Sequence, residues 1–91
     1  MRIQILGRRW ELRYARLTNN RGECEDPTKT GKQIRISTDL PPQEELEVLI
    51  HEMLHAAGWH LDEQYVEQFA DEVSAVLWRL GYRRVQSEVV D

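Results

Sequence analysis

The stretch Ile50-His51-Glu52-Met53-Leu54-His55-Ala56-Ala57-Gly58 decides how the rest of the chain is read. Its apolar residues belong to a helical-period stripe of Leu46, Leu49, Ile50, Met53, Leu54 and Ala57, so the segment is helical. Residues four apart on a helix are about 40° apart around the axis and one turn along it. His51 and His55 therefore leave the same face and can grip one ion. Glu52 sits beside the first of them and can reach the open side of that ion. The spacing is H-E-x-x-H, two imidazole ligands with a general-base carboxylate.

Working outward, the spacing predicts a helix from about residue 42 to 57. Pro41-Pro42 suits its first turn, Glu44 and Glu45 favour its N-terminal dipole, and Gly58 stops it. The His face also carries Val48 and Ala56, so this helix is expected to be packed on two sides. Asp62 is the N-cap of a second helix reaching about Leu80, with a stripe of Val66, Phe69, Ala70, Val73, Val76, Leu77 and Leu80; Gly81 ends it. Upstream, residues 2–6 and 10–17 alternate around Gly7-Arg8-Arg9 and read as a hairpin. Gln33–Ser37 is a third strand, with Ile34 and Ile36 on one face. Residues 18–32 carry turn chemistry throughout and read as a long loop. Residues 82–91 read as a short strand or a tail. The expected fold is α+β: a single domain, residues 1–91, with a small three-stranded antiparallel or mixed sheet, a hairpin plus an edge strand, packed on two helices.

The totals narrow the function classes. Ninety-one residues with net charge −4 and 41% hydrophobic content describe one ordinary globular domain, not disorder. The acidic balance argues against a nucleic-acid partner. No segment approaches the roughly 20 apolar residues of a membrane span. The single cysteine cannot form an internal disulfide, and no apolar leader follows Met1-Arg2, so the expected location is cytoplasmic. Cys24 is flanked by Glu23, Glu25 and Asp26, which oppose thiolate formation. It fills a niche, or else it approaches the metal while its loop lines a substrate cleft.

A catalytic zinc needs three protein ligands and an open position. Four residues after the turn can supply the third. Glu63 extends the Val66–Ala70 stripe backward and so points inward more than its neighbours. Glu67, His60 and Asp62 are the alternatives. An oxyanion donor or substrate contact would come from His60, Tyr65, Tyr82 or Arg83.

The order strand, H-E-x-x-H helix, short turn and then Glu63-Gln64-Tyr65-Val66-Glu67-Gln68-Phe69-Ala70 resembles the IrrE/ImmA-type metallopeptidases, whose second motif is E-x-x-A-N-x-F-A. Val66 and Glu67 depart from its Ala-Asn. The wording Ile-His-Glu-Met-Leu-His-Ala also looks like the SprT-type and small phage-encoded metallopeptidases. Gly58 matches the metzincin pattern, but Leu61 stands where those enzymes place their third His. The resemblance covers residues 33–80. It implies a minimal zincin-like fold, Zn²⁺ held by His51, His55 and Glu63, and Glu52 as general base of a peptidase. It also implies a protein or peptide substrate docked along strand 34–37; the acidic balance and the lack of an apolar span separately predict no nucleic acid and no membrane. The rival expectation is a catalytically weak or inactive zinc-binding module for protein interaction, its site closed by His60 or Cys24.

Overall fold

The computed structural model describes residues 1–85. It contains β1 (Arg2–Ile5), β2 (Arg8–Ala15), β3 (Gly22–Cys24), β4 (Gln33–Ser37), α1 (Pro42–Ala57) and α2 (Glu63–Arg79). Both helices match the expected spans. The expected strand or tail over 82–91 shows no regular structure over 82–85 and otherwise lies outside the described residues.

The sheet is mixed and has four strands in the order β1-β2-β4-β3. β1 pairs antiparallel with β2, and Ile3 faces Trp10. The hairpin turn is only Leu6-Gly7, with φ of 49° and 79°. Two left-handed residues in succession match the right-handed twist of the flanking strands, so Arg8 and Arg9 belong to β2 rather than to the turn. β2 pairs in parallel with β4, aligning Leu12 with Ile34.

β3 corrects the three-strand expectation. It lies inside the stretch read as loop, because Gly-Glu-Cys is too short and too polar to show alternation. Its strand conformation comes from pairing with β4, Gly22 opposite Ile36 and Cys24 opposite Ile34. The consequence is that residues 34–37 are not an edge strand. β4 has ladder partners on both sides, so its backbone cannot accept a further strand; the edges of the sheet are β1 and β3, and β3 is the one next to β4.

The core forms between the inner sheet face and α1. Trp10, Leu12, Ile34, Ile36, Val48 and Ala56 are buried there, flanked by Ile3, Ile5, Cys24, Leu40 and Leu49. α2 packs on the far side of α1, and no Cα of α2 comes within 8 Å of a strand. The layers are therefore sheet, α1, α2. This explains why the apolar stripe expected for α1 is only half right. Its deepest positions are Val48, Glu52 and Ala56, which face the sheet, whereas Met53 and Ala57 are exposed. α2 buries Val66, Ala70 and Ser74 but leaves Phe69, Val76 and Leu80 exposed. Touching a single helix, α2 needs only a narrow buried seam. No helix is long and apolar enough to cross a membrane.

Truncating the sheet–α1 core should therefore cost far more than truncating the outer stripe of α2. Ile36→Ala is expected to destabilise by about 2–5 kcal/mol, and Val76→Ala by less than about 1 kcal/mol. Chemical denaturation of both variants checks this; equal losses would place the core elsewhere.

Candidate metal centre

The chain reverses between the helices in a way that brings Glu63 back to the His face. The Gly58 N–H donates to the Leu54 carbonyl at 2.8 Å, closing α1. Gly58 is not left-handed (φ −141°). It is glycine because Leu61 folds onto it: a Cβ there would lie 2.7 Å from Leu61 Cδ1. Asp62 caps α2 as expected, its carboxylate accepting from the Gln64 N–H at 2.8 Å. Glu63 is then the first residue of α2.

Four atoms converge. His51 Nε2 lies 3.0 Å from one oxygen of Glu63, His55 Nε2 lies 3.1 Å from the other, and the two nitrogens are 3.1 Å apart. One ligand atom from each residue falls within 4.8 Å of the rest. Ligands about 2.0–2.1 Å from a tetrahedral ion lie roughly 3.3 Å from one another, so the group has the right size for a small divalent cation. The donor set fits too. Three groups whose lone pairs meet at one point repel unless a proton or a cation sits among them. Burial holds the His55 pKa down, partly offset by Glu63, which favours the neutral imidazole that metal binding needs. Both imidazoles are mostly covered, whereas Glu63 is largely exposed.

Glu52 is only 8% exposed. Burial pushes its carboxyl up to about 7, helped by the negative charges of Glu63 and Glu23 and opposed by Arg21; no hydrogen bond contributes. Packing fixes it instead. Strand β3 crosses α1 at Gly22, where a Cβ would lie 2.6 Å from Val48 Cγ1 and 3.0 Å from both Cγ and Oε2 of Glu52. The bare backbone of Gly22 thus forms one wall of the Glu52 slot. Arg21, the residue before it, ties β3 to α1 through a 2.8 Å ion pair with Glu44. Neither Gly22 nor Arg21 stood out in the sequence. Both lie among turn residues, and only the strand pairing reveals their place.

The other sequence candidates are not gathered here. Glu67 is exposed on α2 and lies outside the ligand group, near enough to Arg21 to bear on its charge. Asp62 is used as the cap. His60 lines a separate cleft with Arg8, Asp26 and Thr28. Tyr65 is about 160° around α2 from Glu63 and stacks on Phe69. Tyr82 and Arg83 line a cavity of about 320 Å³ with Leu46, Leu49 and Trp78, and Arg83 donates to the Trp78 and Tyr82 carbonyls. Cys24 lies on the inner sheet face; burial, with Glu52 and Glu25, pushes its thiol up to about 12. The chain matches no known family model, no curated protein and no solved structure.

Two outcomes follow from the slot. Gly22→Ala forces either Val48 or the strand to move, and should cost about 1–3 kcal/mol by overpacking; a melting temperature equal to wild type would show that the slot is loose. The second concerns pH in the metal-free protein. Below about pH 4.5 Glu52 is protonated folded or unfolded; above it the unfolded chain loses the proton first, so stability falls as pH rises to about 7. Glu52→Gln removes that penalty. It should stabilise the metal-free protein at pH 8 by on the order of 2 kcal/mol and change little at pH 4. A difference independent of pH would contradict the burial argument.

Proposed function

We propose that the chain is a small zinc-dependent peptidase with His51, His55 and Glu63 as ligands and Glu52 as proton carrier. The observation that carries this reading is the convergence of two imidazole nitrogens and both oxygens of one carboxylate beside a second, buried carboxylate. Bound zinc supplies a Lewis acid that polarises a carbonyl and brings the pKa of a coordinated water toward 7. Glu52 accepts the proton of the attacking water and passes it to the leaving amine as the C–N bond breaks. In the metal-free protein that carboxyl is pushed up to about 7; a dication held at Glu63 offsets part of the negative field that raises it, so Glu52 is free to accept a proton at neutral pH. Gly22 and Val48 keep it in its slot while the proton moves. His60 and Cys24 lie outside the ligand group, which favours an open coordination position over a closed structural site. The substrate is an extended peptide added to the free edge of β3. The antiparallel ladder turns the N–H and C=O of Gly22 and Cys24 away from β4 and toward that edge.

The expected result is one zinc per chain, lost in His51→Ala, His55→Ala and Glu63→Ala but kept in Glu67→Ala. Glu52→Gln should keep its zinc and lose roughly 10²–10⁴-fold in peptide hydrolysis. Hydrolysis that survives Glu52→Gln, or zinc that survives Glu63→Ala, overturns the assignment. A second reading, a zinc-holding interaction module without turnover, draws on the exposed Tyr65, Phe69, Val76 and Leu80 of α2. Stoichiometric zinc with no cleavage across a peptide library would favour it.

A further inference from the structure

The net charge of −4 conceals a segregation. Residues 1–38, which build the sheet, hold nine of the twelve Lys and Arg but only four of the sixteen acids. Residues 39–91, which build the helices, hold the other three cations and twelve acids. Strand alternation then sorts the cations by face. Ile3, Trp10, Leu12, Ile34 and Ile36 point to the core, so Arg2, Arg9, Arg13 and Arg35 point the other way. Both helices lie on the core side. Among the described residues nothing covers the outer face, and Arg2, Arg9 and Arg13 are exposed on it.

Pairing on this face is incomplete. Arg35 is matched by Glu23 at 3.0 Å and Glu25 at 3.5 Å. Arg13 lies directly across from Arg35 in the β2–β4 register, so two guanidinium groups share neighbouring positions. Arg2, Arg9 and Arg13 have no carboxylate within 4.0 Å among the described residues. At one end of the sheet, Arg2 and Arg9 line a cleft of about 570 Å³ together with Lys29 and Lys32. Glu11 stands across from Arg2 in the β1–β2 register and Glu25 holds Lys29 at 2.9 Å, so the uncompensated excess on this side is Arg9, Arg13 and Lys32; the acids of residues 39–91 lie in the part of the chain that forms the helices.

We propose that the outer sheet face binds the phosphate backbone of double-stranded nucleic acid without reading its sequence. The summed charge argues against such a partner, but its distribution provides one flat positive surface. Composition selects the duplex. The strand positions of this face hold Arg, Gln, Glu, Ser and Ala and no aromatic ring, so unstacked bases of a single strand find no platform. No large apolar side chain is present to enter a bilayer interface. Contact by cations alone is phosphate-backbone contact, which positions a strand and reads no sequence. This proposal is independent of the peptidase reading.

The test is fluorescence anisotropy of the full chain against two labelled duplexes of about 20 base pairs and unrelated sequence, titrated over a range of salt. Equal affinity for both sequences, with Kd of roughly 10⁻⁶–10⁻⁴ M and a log–log salt slope near −3, supports the proposal. Arg9→Glu/Arg13→Glu should weaken binding at least about tenfold at low salt. Arg9→Gln/Arg13→Gln, which adds no negative charge, should weaken it less, and Arg79→Glu on α2 should leave it unchanged. Each variant's melting temperature confirms folding. The proposal fails if no binding is seen at the upper end of that concentration range, or if the Glu pair binds as wild type. It also fails if a single strand of equal length, or phosphatidylglycerol vesicles, bind more tightly than the duplex.

Discussion

Helix α1 is desolvated from two sides, and the chemistry of the molecule follows from that constraint. The sheet covers its Val48–Glu52–Ala56 line, and α2 closes the opposite flank. Between those flanks, His51 and His55 are drawn partly out of water. Removal from water disfavours charge on any group, so it lowers an imidazole pKa and raises a carboxyl pKa. Here one physical cause acts on both kinds of residue. It disfavours the charged form of His55, and it brings the Glu52 carboxyl up to about 7. Without the sheet over that line, Glu52 would be an ordinary surface acid.

The helical half of the fold was legible in the sequence because its signals are local. Pro41-Pro42, Gly58, Asp62 and Gly81 punctuate the helices within a residue or two of their observed ends. The facing of Glu63 could be read from the Val66–Ala70 repeat, and it is Glu63 that meets the two His. What could not be read is held by long-range pairing. β3 is three residues of turn-like composition that become a strand only against β4, and β4 is displaced from the sheet edge for the same reason. Gly22 reads as flexibility in the sequence and acts as a close-packed wall in the structure. The apolar stripe of α2 is wider in the sequence than the seam it buries, because hydrophobicity marks what can be buried and the number of neighbours decides what is. Phe69, Val76 and Leu80 have no layer beyond them among the described residues.

Surface electrostatics divides along the same layers. Near the His51, His55 and Glu63 group, Arg21 is surrounded by Glu44, Glu47 and Glu67, and its ion pair with Glu44 is half exposed, where such pairs contribute at most about 1 kcal/mol. Its value is positional: it ties β3 to α1, on which Glu52 sits. On the outer sheet face Arg35 has such partners in Glu23 and Glu25, whereas Arg2, Arg9 and Arg13 have no carboxylate within 4.0 Å among the described residues. The two surfaces differ in kind as well as in sign, one a cleft with fixed geometry and the other a flat field.

Because both helices pack on one side, the sheet is a partition a single layer thick, about 10 Å from face to face. What touches its outer face and what enters beside Gly22 are kept apart by that thickness and cannot compete for the same atoms. A chain tethered through the outer face would keep its opposite side turned to solvent. Any protein held on the same scaffold would then meet it at an effective concentration set by the tether, not by bulk diffusion.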